Sequence, residues 1–270
     1  NPGGQLQIGN ANNVSLGNTF NNCNWQAIGC FNNNKFGGVQ NTKINISNNT
    51  FNNHTYAGAI FVGEAASPNR SYEILNITRN KVGLTEALGK GIIISHVTGI
   101  HSDLPDMGER RFFEDKFRAD SNEIKFSDPT KEGIRLVNAK WYNVLRNDVH
   151  SGTWGDWRPS GLSMAEGRGN LVWGNTLQGG SGGKITGDNL FSNLYCNVLN
   201  QCVSGWQFEM SQLRTWYNGQ TSINQNGYDY VIHGLVRLNN DTDARPNSYL
   251  PLLDPRNPDP FHISWGADIT

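Results

Sequence analysis

The chain has 270 residues, enough for one sizeable core or two small ones, with 36% hydrophobic residues, 17% charged residues and a net charge of −1. That balance excludes the basic surface of a nucleic-acid binder, and no apolar stretch reaches membrane-spanning length. With 37 Asn and 31 Gly, the composition is not that of a helical protein and predicts short strands joined by many tight turns.

Taken in chain order, the start "NPGGQLQIGN" has no signal-peptide pattern and reads as a trimmed or processed start. From there an Asn-x-apolar signature returns at Asn18-Thr-Phe20, Asn49-Thr-Phe51, Asn80-Lys-Val82, Asn122-Glu-Ile124, Asn147-Asp-Val149, Asn175-Thr-Leu177 and Asn197-Val-Leu199. The gaps are 31, 31, 42, 25, 28 and 22 residues, and an apolar or alternating run such as "KINIS" or "NVLRN" precedes most of them. After each comes a small residue, often Gly, and an alternating strand: "AIGCF", "AIFVGE", "GIIISH", "GIRLVN", "GLSMAE", "GGKITGD" and "GWQFEM", with the opening "QLQIGN" matching the same pattern. Two short strands per repeat, each repeat one lap long, predict a solenoid in which each Asn marks a corner and bonds to its counterparts as a ladder. An antiparallel sandwich would need Asn-Gly hairpin turns between strands. The chain has these only at Asn218 and Asn226, beyond the repeat.

Over about residues 4–210 this alternation resembles the right-handed parallel β-helix proteins of the pectate-lyase-like superfamily, which includes polysaccharide lyases, glycosidases, epimerases and phage tailspikes. The resemblance is one of architecture, without the catalytic signature of any one enzyme family. It implies an all-β chain of about eight laps over 1–210, with residues 211–270 supplying irregular final turns and a C-terminal cap in the same domain. A helical insertion is expected near 99–120, where Asp106 can cap a short helix with Met107, Phe112, Phe113 and Phe117 mostly on one side. A solvated helix lying on the rod and one wall of a binding groove are both readings of it.

Aligning the second strands on their inward apolar residues sorts the outward positions into columns. One runs Gln7, Gly29, Phe61, Ile93, Arg135, Ser163, Lys184, Gln207, and the next runs Gly9, Phe31, Gly63, Ser95, Val137, Ala165, Thr186, Glu209. At the strand exits lie Glu64, His96, Asn138, Glu166 and, after one slip, Asp188. Arg135, Glu166, Lys184, Asp188 and Glu209 are then the candidate catalytic residues on one flank. His96 and Asn138 are candidate substrate contacts, with Trp154, Asp156, Trp157 and Arg158 of the loop "HSGTWGDWRPSG", whose indoles could stack on sugar faces or simply plug the loop onto the body. The resemblance implies polysaccharide bound along this strand face.

Two chemistries suit such a patch. Glycoside hydrolysis would use a carboxyl pair, Glu166 with Asp188 or Asp188 with Glu209, while β-elimination on a uronic acid polymer needs a base and a cation, from Arg135, Lys184 or His96. The plain alternative is a solvated face whose opposite charges pair across laps. No cofactor is expected, with calcium on Asp188 and Glu209 a thinly supported alternative. The expected partner is a polysaccharide, in an extracellular or cell- or virion-surface setting, with neither nucleic acid nor membrane insertion. The rival reading is a non-catalytic tailspike or adhesin segment, for which a homotrimer would be the expected assembly. Cys23/Cys30 and Cys196/Cys202 form local pairs that could be disulfides or inert thiols, and seven N-x-S/T sequons arise readily in so Asn-rich a chain. "GGSGGKIT" lacks the spacing of a phosphate loop, and no serine-hydrolase elbow or dinucleotide fingerprint occurs.

Overall fold

The computed structural model describes residues 5–10, 12–23, 25–31, 43–53, 58–63, 70–84, 90–99, 116–126, 132–151, 160–190, 192–195, 197–202, 204–213, 222–224, 228–233, 237–238 and 261–263. They form a parallel β-solenoid whose strands fall into three sheets of seven, eight and ten strands, plus a small two-stranded pair, Arg70–Tyr72 with Val97–Gly99. Each full lap contributes three strands, not the expected two. The apolar run before each Asn is a strand of sheet A (Gln5–Ile8, Lys43–Ser47, Ile74–Thr78, Phe117–Asp120, Asn143–Leu145, Leu171–Trp173, Asn193–Tyr195). The Asn-x-apolar segment opens sheet B, from Thr19–Asn21 through Glu123–Phe126 and Asp148–Ser151 to Ser222–Asn224. The Gly-led strands form sheet C, from Ile28–Phe31 through Glu132–Val137, Ser160–Arg168 and Ser181–Leu190 to Ser204–Leu213, Tyr228–His233 and Phe261–Ile263.

Period-2 alternation sends every second side chain inward, and parallel stacking places like residues above one another. Ile60, Ile92, Ile134 and Leu162 form one such column in sheet C, and Val62, Ile94, Leu136, Met164 and Ile185 the next, all buried. Each contributes roughly 1.5–3 kcal/mol through burial. Further along the first column the order is Gly183 then Trp206, and the indole fills the space a side chain at Gly183 would need, with a Cβ there only 2.0 Å from the ring.

All seven signature Asn residues form one ladder. The backbone N–H and Nδ2 of Asn18, Asn49, Asn80, Asn122, Asn147 and Asn175 each donate to Oδ1 of the next Asn at 2.9–3.1 Å. From Asn49 onward the same Nδ2 also donates to a sheet A carbonyl of the preceding lap, as from Asn80 to Ile46 and from Asn122 to Ile77. The residue just before the Asn turns the corner in the left-handed region at Asn48, Arg79, Ser121, Arg146 and Gly174. The Gly opening of the sheet C strands has an equally local cause. A Cβ on Gly133 would lie 2.3 Å from Val149 Cγ1 and 2.6 Å from the Gly161 carbonyl, so the chain leaves sheet B too close to its neighbours for any side chain.

Two further expectations change, and one region gains detail. Gln5–Ile8 belongs to sheet A, so Gln7 pairs with Asn45 and Gly9 follows that strand; neither joins the sheet C columns. Of the helix expected near 99–120, residues 100–115 lie outside the described residues, while Phe117 is an inward, buried residue of a sheet A strand in register with Leu75. Along Phe117–Asp120 only Arg118 is half-buried and the other three are buried, and lap-to-lap pairing with Ile74–Thr78 and Asn143–Leu145 fixes it as strand. Within 211–270, Ser222–Asn224 extends sheet B and Tyr228–His233 and Phe261–Ile263 extend sheet C, so part of the Pro-rich tail also pairs in parallel. Cys23 and Cys30 are free thiols, Cys202 is buried with its Sγ donating to the Leu177 and Asn200 carbonyls, and Cys196 lies outside the described residues. Burial pushes Cys30 up to about 11 and Cys202 up to about 12, which keeps both as protonated thiols.

Candidate functional site

Sheet C widens along the rod. Its first three strands have four residues each, Glu132–Val137 has six, and Ser160–Arg168, Ser181–Leu190 and Ser204–Leu213 have nine, ten and ten. The outward column on this widening face runs Gly29, Phe61, Ile93, Arg135, Ser163, Lys184, Gln207 in unbroken register. The register column two residues further along runs Phe31, Gly63, Ser95, Val137, Ala165, Thr186, Glu209 and then His233. The face therefore grades from aromatic and apolar to polar and charged. At the apolar end Phe31 and Phe61 stack with centroids 5.0 Å apart. At the polar end Arg135 and Lys184 stand two laps apart, about 10 Å at the usual strand spacing, with the small Ser163 between them.

Glu132, the first residue of its strand, is the carboxylate that organises this end. Its Oε2 meets Arg135 Nη1 and Lys90 Nζ, each at 2.9 Å, and its Oε1 accepts from Ser163 Oγ at 2.9 Å. Burial alone would raise its pKa, but the charges of Arg135 and Lys90 outweigh that and hold it below the usual carboxylate value. Glu132 escapes the sequence pattern because it precedes the Gly that heads the alternating strand. The three-residue spacing to Arg135 and the basic Lys90 one lap back were the available signals.

The exit corner carries His96, Asn138 and Glu166 on successive laps, all in the left-handed region. The His96 N–H donates to Val137 O and the Asn138 N–H to Ala165 O, both at 2.8 Å, and His96 Nδ1 lies 2.9 Å from Ser95 Oγ. The same backbone conformation recurs at the other corners, so here it is turn geometry and no sign of catalysis. Glu166 is exposed, with Gly187 against it: a Cβ on Gly187 would fall 3.0 Å from Glu166 Cγ. Glu166 lies three residues along the strand from the Arg135–Ser163–Lys184 column, about 10 Å away.

The carboxyl pairs come out differently. An irregularity pairs Ala165 with Thr186 but Gly167 with Asn189, so Glu166 spans the two residues Gly187 and Asp188. Asp188 in turn pairs with Gln212, while Glu209 pairs with Thr186, so Asp188 and Glu209 are not neighbours across a lap. Trp154, Asp156, Trp157 and Arg158 lie outside the described residues, as does Glu64. Among the described residues no group of three or more His, Cys, Asp or Glu side chains converges as a metal site would require. Compared with protein-family models, with curated proteins and with solved structures, the chain matches none.

Proposed function

We propose that the chain is an extracellular right-handed parallel β-helix of the pectate-lyase-like kind that binds an acidic polysaccharide along the outer face of sheet C and cleaves it. The observation that carries the reading is the in-register column of Arg135, Ser163 and Lys184 on one face with Glu166 at its exit. Arg135 and Lys184 are the charged residues of this column, which suits a polymer of uronic acids. Sugar rings would stack on Phe31 and Phe61 while guanidinium and ammonium groups meet the carboxylates. Of the two chemistries, β-elimination fits better, since it needs a cation beside the sugar carboxylate and a base for the adjacent proton. Hydrolysis would need two facing carboxyl groups; Asp188 pairs in register with Gln212, not with Glu209, which leaves Glu166 opposite Gly187 and Asp188 as the one pair for that chemistry.

A second reading, glycan recognition without cleavage as in a tailspike or adhesin, is favoured by one observation. Glu132 already engages both Lys90 and Arg135, which leaves them less available to a substrate carboxylate. Incubation with acidic and neutral polysaccharides, following reducing ends and the ultraviolet absorbance of an unsaturated uronate, separates the readings. Both signals together are the expected result, and binding without either product favours recognition alone. Lys184→Ala and Glu166→Gln should each lower the rate by about 10²–10⁴. Full activity in both variants would remove this face from the reaction.

A further inference from the structure

Past the exit corner of sheet C, and before sheet A, three interior laps carry a second outward column. Thr98 bridges Lys140 in parallel and Lys140 bridges Arg168, so the three stack at the lap spacing of about 5 Å. Their register is held by the Lys140 N–H, which donates to the Val97 carbonyl at 2.9 Å, and by the Arg168 N–H, which donates to the Ala139 carbonyl at 3.2 Å. Val97 and Ala139 are buried, so the alternation turns Thr98, Lys140 and Arg168 outward, the first two half-buried and Arg168 exposed. This column is separate from the one on sheet C. Lys140 follows Arg135 by five residues and Arg168 follows Ser163 by five, with the left-handed residues Asn138 and Glu166 turning the chain between them.

The residue after each cation supplies an aromatic surface and its seat. Trp141 and Gly169 follow Lys140 and Arg168 on successive laps, both left-handed, with φ of 61° and 64°. The indole of Trp141 lies over Gly169, where a Cβ would fall 1.9 Å from the ring carbons Cε3 and Cζ3. Any side chain at Gly169 would displace the ring, and glycine also takes the left-handed φ without steric cost. The Trp141 N–H donates to the Arg168 carbonyl at 2.8 Å, which ties the seated indole to the cation column. The ring is half-buried, so part of it rests on the glycine and part meets solvent. The corner segments 138–142 and 166–170 together hold Lys140 and Arg168 against one acidic residue, Glu166.

We propose that this corner is a second sugar site, distinct from the face of sheet C, that takes a uronic acid residue. The C–H face of the sugar ring rests on the Trp141 indole while its carboxylate meets Lys140 and Arg168 one lap apart. The seated ring selects a sugar and the two cations select an acidic one. A polymer that engages both this corner and sheet C is held on either side of Glu166, so the second contact forms at high effective concentration and favours long chains over short ones. The inference takes its ligand class from the polysaccharide reading of sheet C but none of its residues, so the two fail separately.

The probe is a uronic acid trisaccharide, titrated calorimetrically into the full 270-residue chain carrying Arg135→Ala and Lys184→Ala, which disables the sheet C column. One saturable site should remain. Adding Lys140→Gln and Arg168→Gln, both at surface positions, should weaken it about tenfold or more, and methyl esterification of the trisaccharide should do the same. Trp141→Ala should also weaken it about tenfold, with circular dichroism checking the fold. Inorganic sulfate should compete far less well than the trisaccharide, a comparison that tests the role of the ring without any change at Trp141. No binding to the sheet C variant overturns the proposal, as does affinity unchanged by the loss of Lys140 and Arg168. Affinity indifferent to Trp141→Ala, or sulfate competing as strongly as the sugar, reduces the corner to an anion patch and overturns it as well. Failure of the sheet C reading looks different: the unaltered chain would then bind a single trisaccharide, and Arg135→Ala with Lys184→Ala would leave that binding as it was.

Discussion

The corner between sheets A and B and the corner between sheets B and C solve the same turning problem in opposite ways. From the second lap on, the first corner always spans two residues between strands, such as Asn48-Asn49, Ser121-Asn122 and Arg146-Asn147. The second corner spans from two residues, between Gln178 and Ser181, to eight, between Ser151 and Ser160. A saturated carboxamide ladder tolerates no insertion, because one added residue would remove an Asn from the stack and leave buried donors on the lap before without acceptors. The Gly corner relies on close backbone approach alone, and chain can be added beside it without breaking a ladder. Lap lengths of 22 to 42 residues therefore arise outside the Asn corner. Variation, and with it the residues available for binding, collects around sheet C.

The comparison is broken most forcefully at the ladder. Asn122→Ala removes the acceptor for Asn80 N–H and Nδ2 and the donor to the Ile77 carbonyl, all buried. Orphaning these groups should cost about 3–5 kcal/mol, read as a shift in urea midpoint. Asn18→Ala, at the exposed end of the same ladder, should cost about 1 kcal/mol or less. Equal losses at the two positions would show that the ladder does not work through burial. At the Gly corner the effect is smaller. Gly133→Ala puts a methyl group 2.3 Å from Val149 Cγ1 and 2.6 Å from a backbone oxygen, which should cost about 1–3 kcal/mol through local repacking.

Both corners were legible in the sequence because each leaves a residue-specific mark: an Asn two places before an apolar residue, and a Gly heading an alternating strand. The register of Arg135, Ser163, Lys184 and Gln207 followed from the inward apolar residues alone. Sheet identity was harder to read. "QLQIG" alternates just as sheet C does, and period 2 says which side chains share a face but not which sheet they join. Sheet A is not legible as a layer because strands such as Asn143–Leu145 are three residues long and read as lead-in to the Asn. The strand register sets Glu166 opposite Gly187 and Asp188, but spacing alone does not show that Asp188 pairs with Gln212 and not with Glu209. Glu132 stood outside the alternating window altogether.

The smallest effect sharpens the contrast between the saturated corner and the charged face. Glu132 is held below its ordinary pKa in the folded state, so the unfolded chain takes up its proton first as pH falls. The stability contributed is complete above the unfolded value of about 4.3 and is lost as pH drops through the folded value. Glu132→Gln should therefore cost about 1 kcal/mol near neutrality, modest because Arg135 and Lys90 are each about a third exposed and can be hydrated when left alone. In acid the wild type should converge on the variant, measured as urea midpoints across the pH range. Glu123 is likewise held low, first by its hydrogen bond to Lys125, but it sits on the open face of sheet B where solvent screens the pair. Glu123→Gln should change the midpoint by less than about 0.5 kcal/mol at any pH. A pH dependence larger for Glu123→Gln than for Glu132→Gln would reverse the assignment of the organising carboxylate to sheet C. It would also move the search for a polysaccharide-binding face to sheet B, where Glu123 and Asp148 are register partners and Asp148 meets His150 at 2.6 Å.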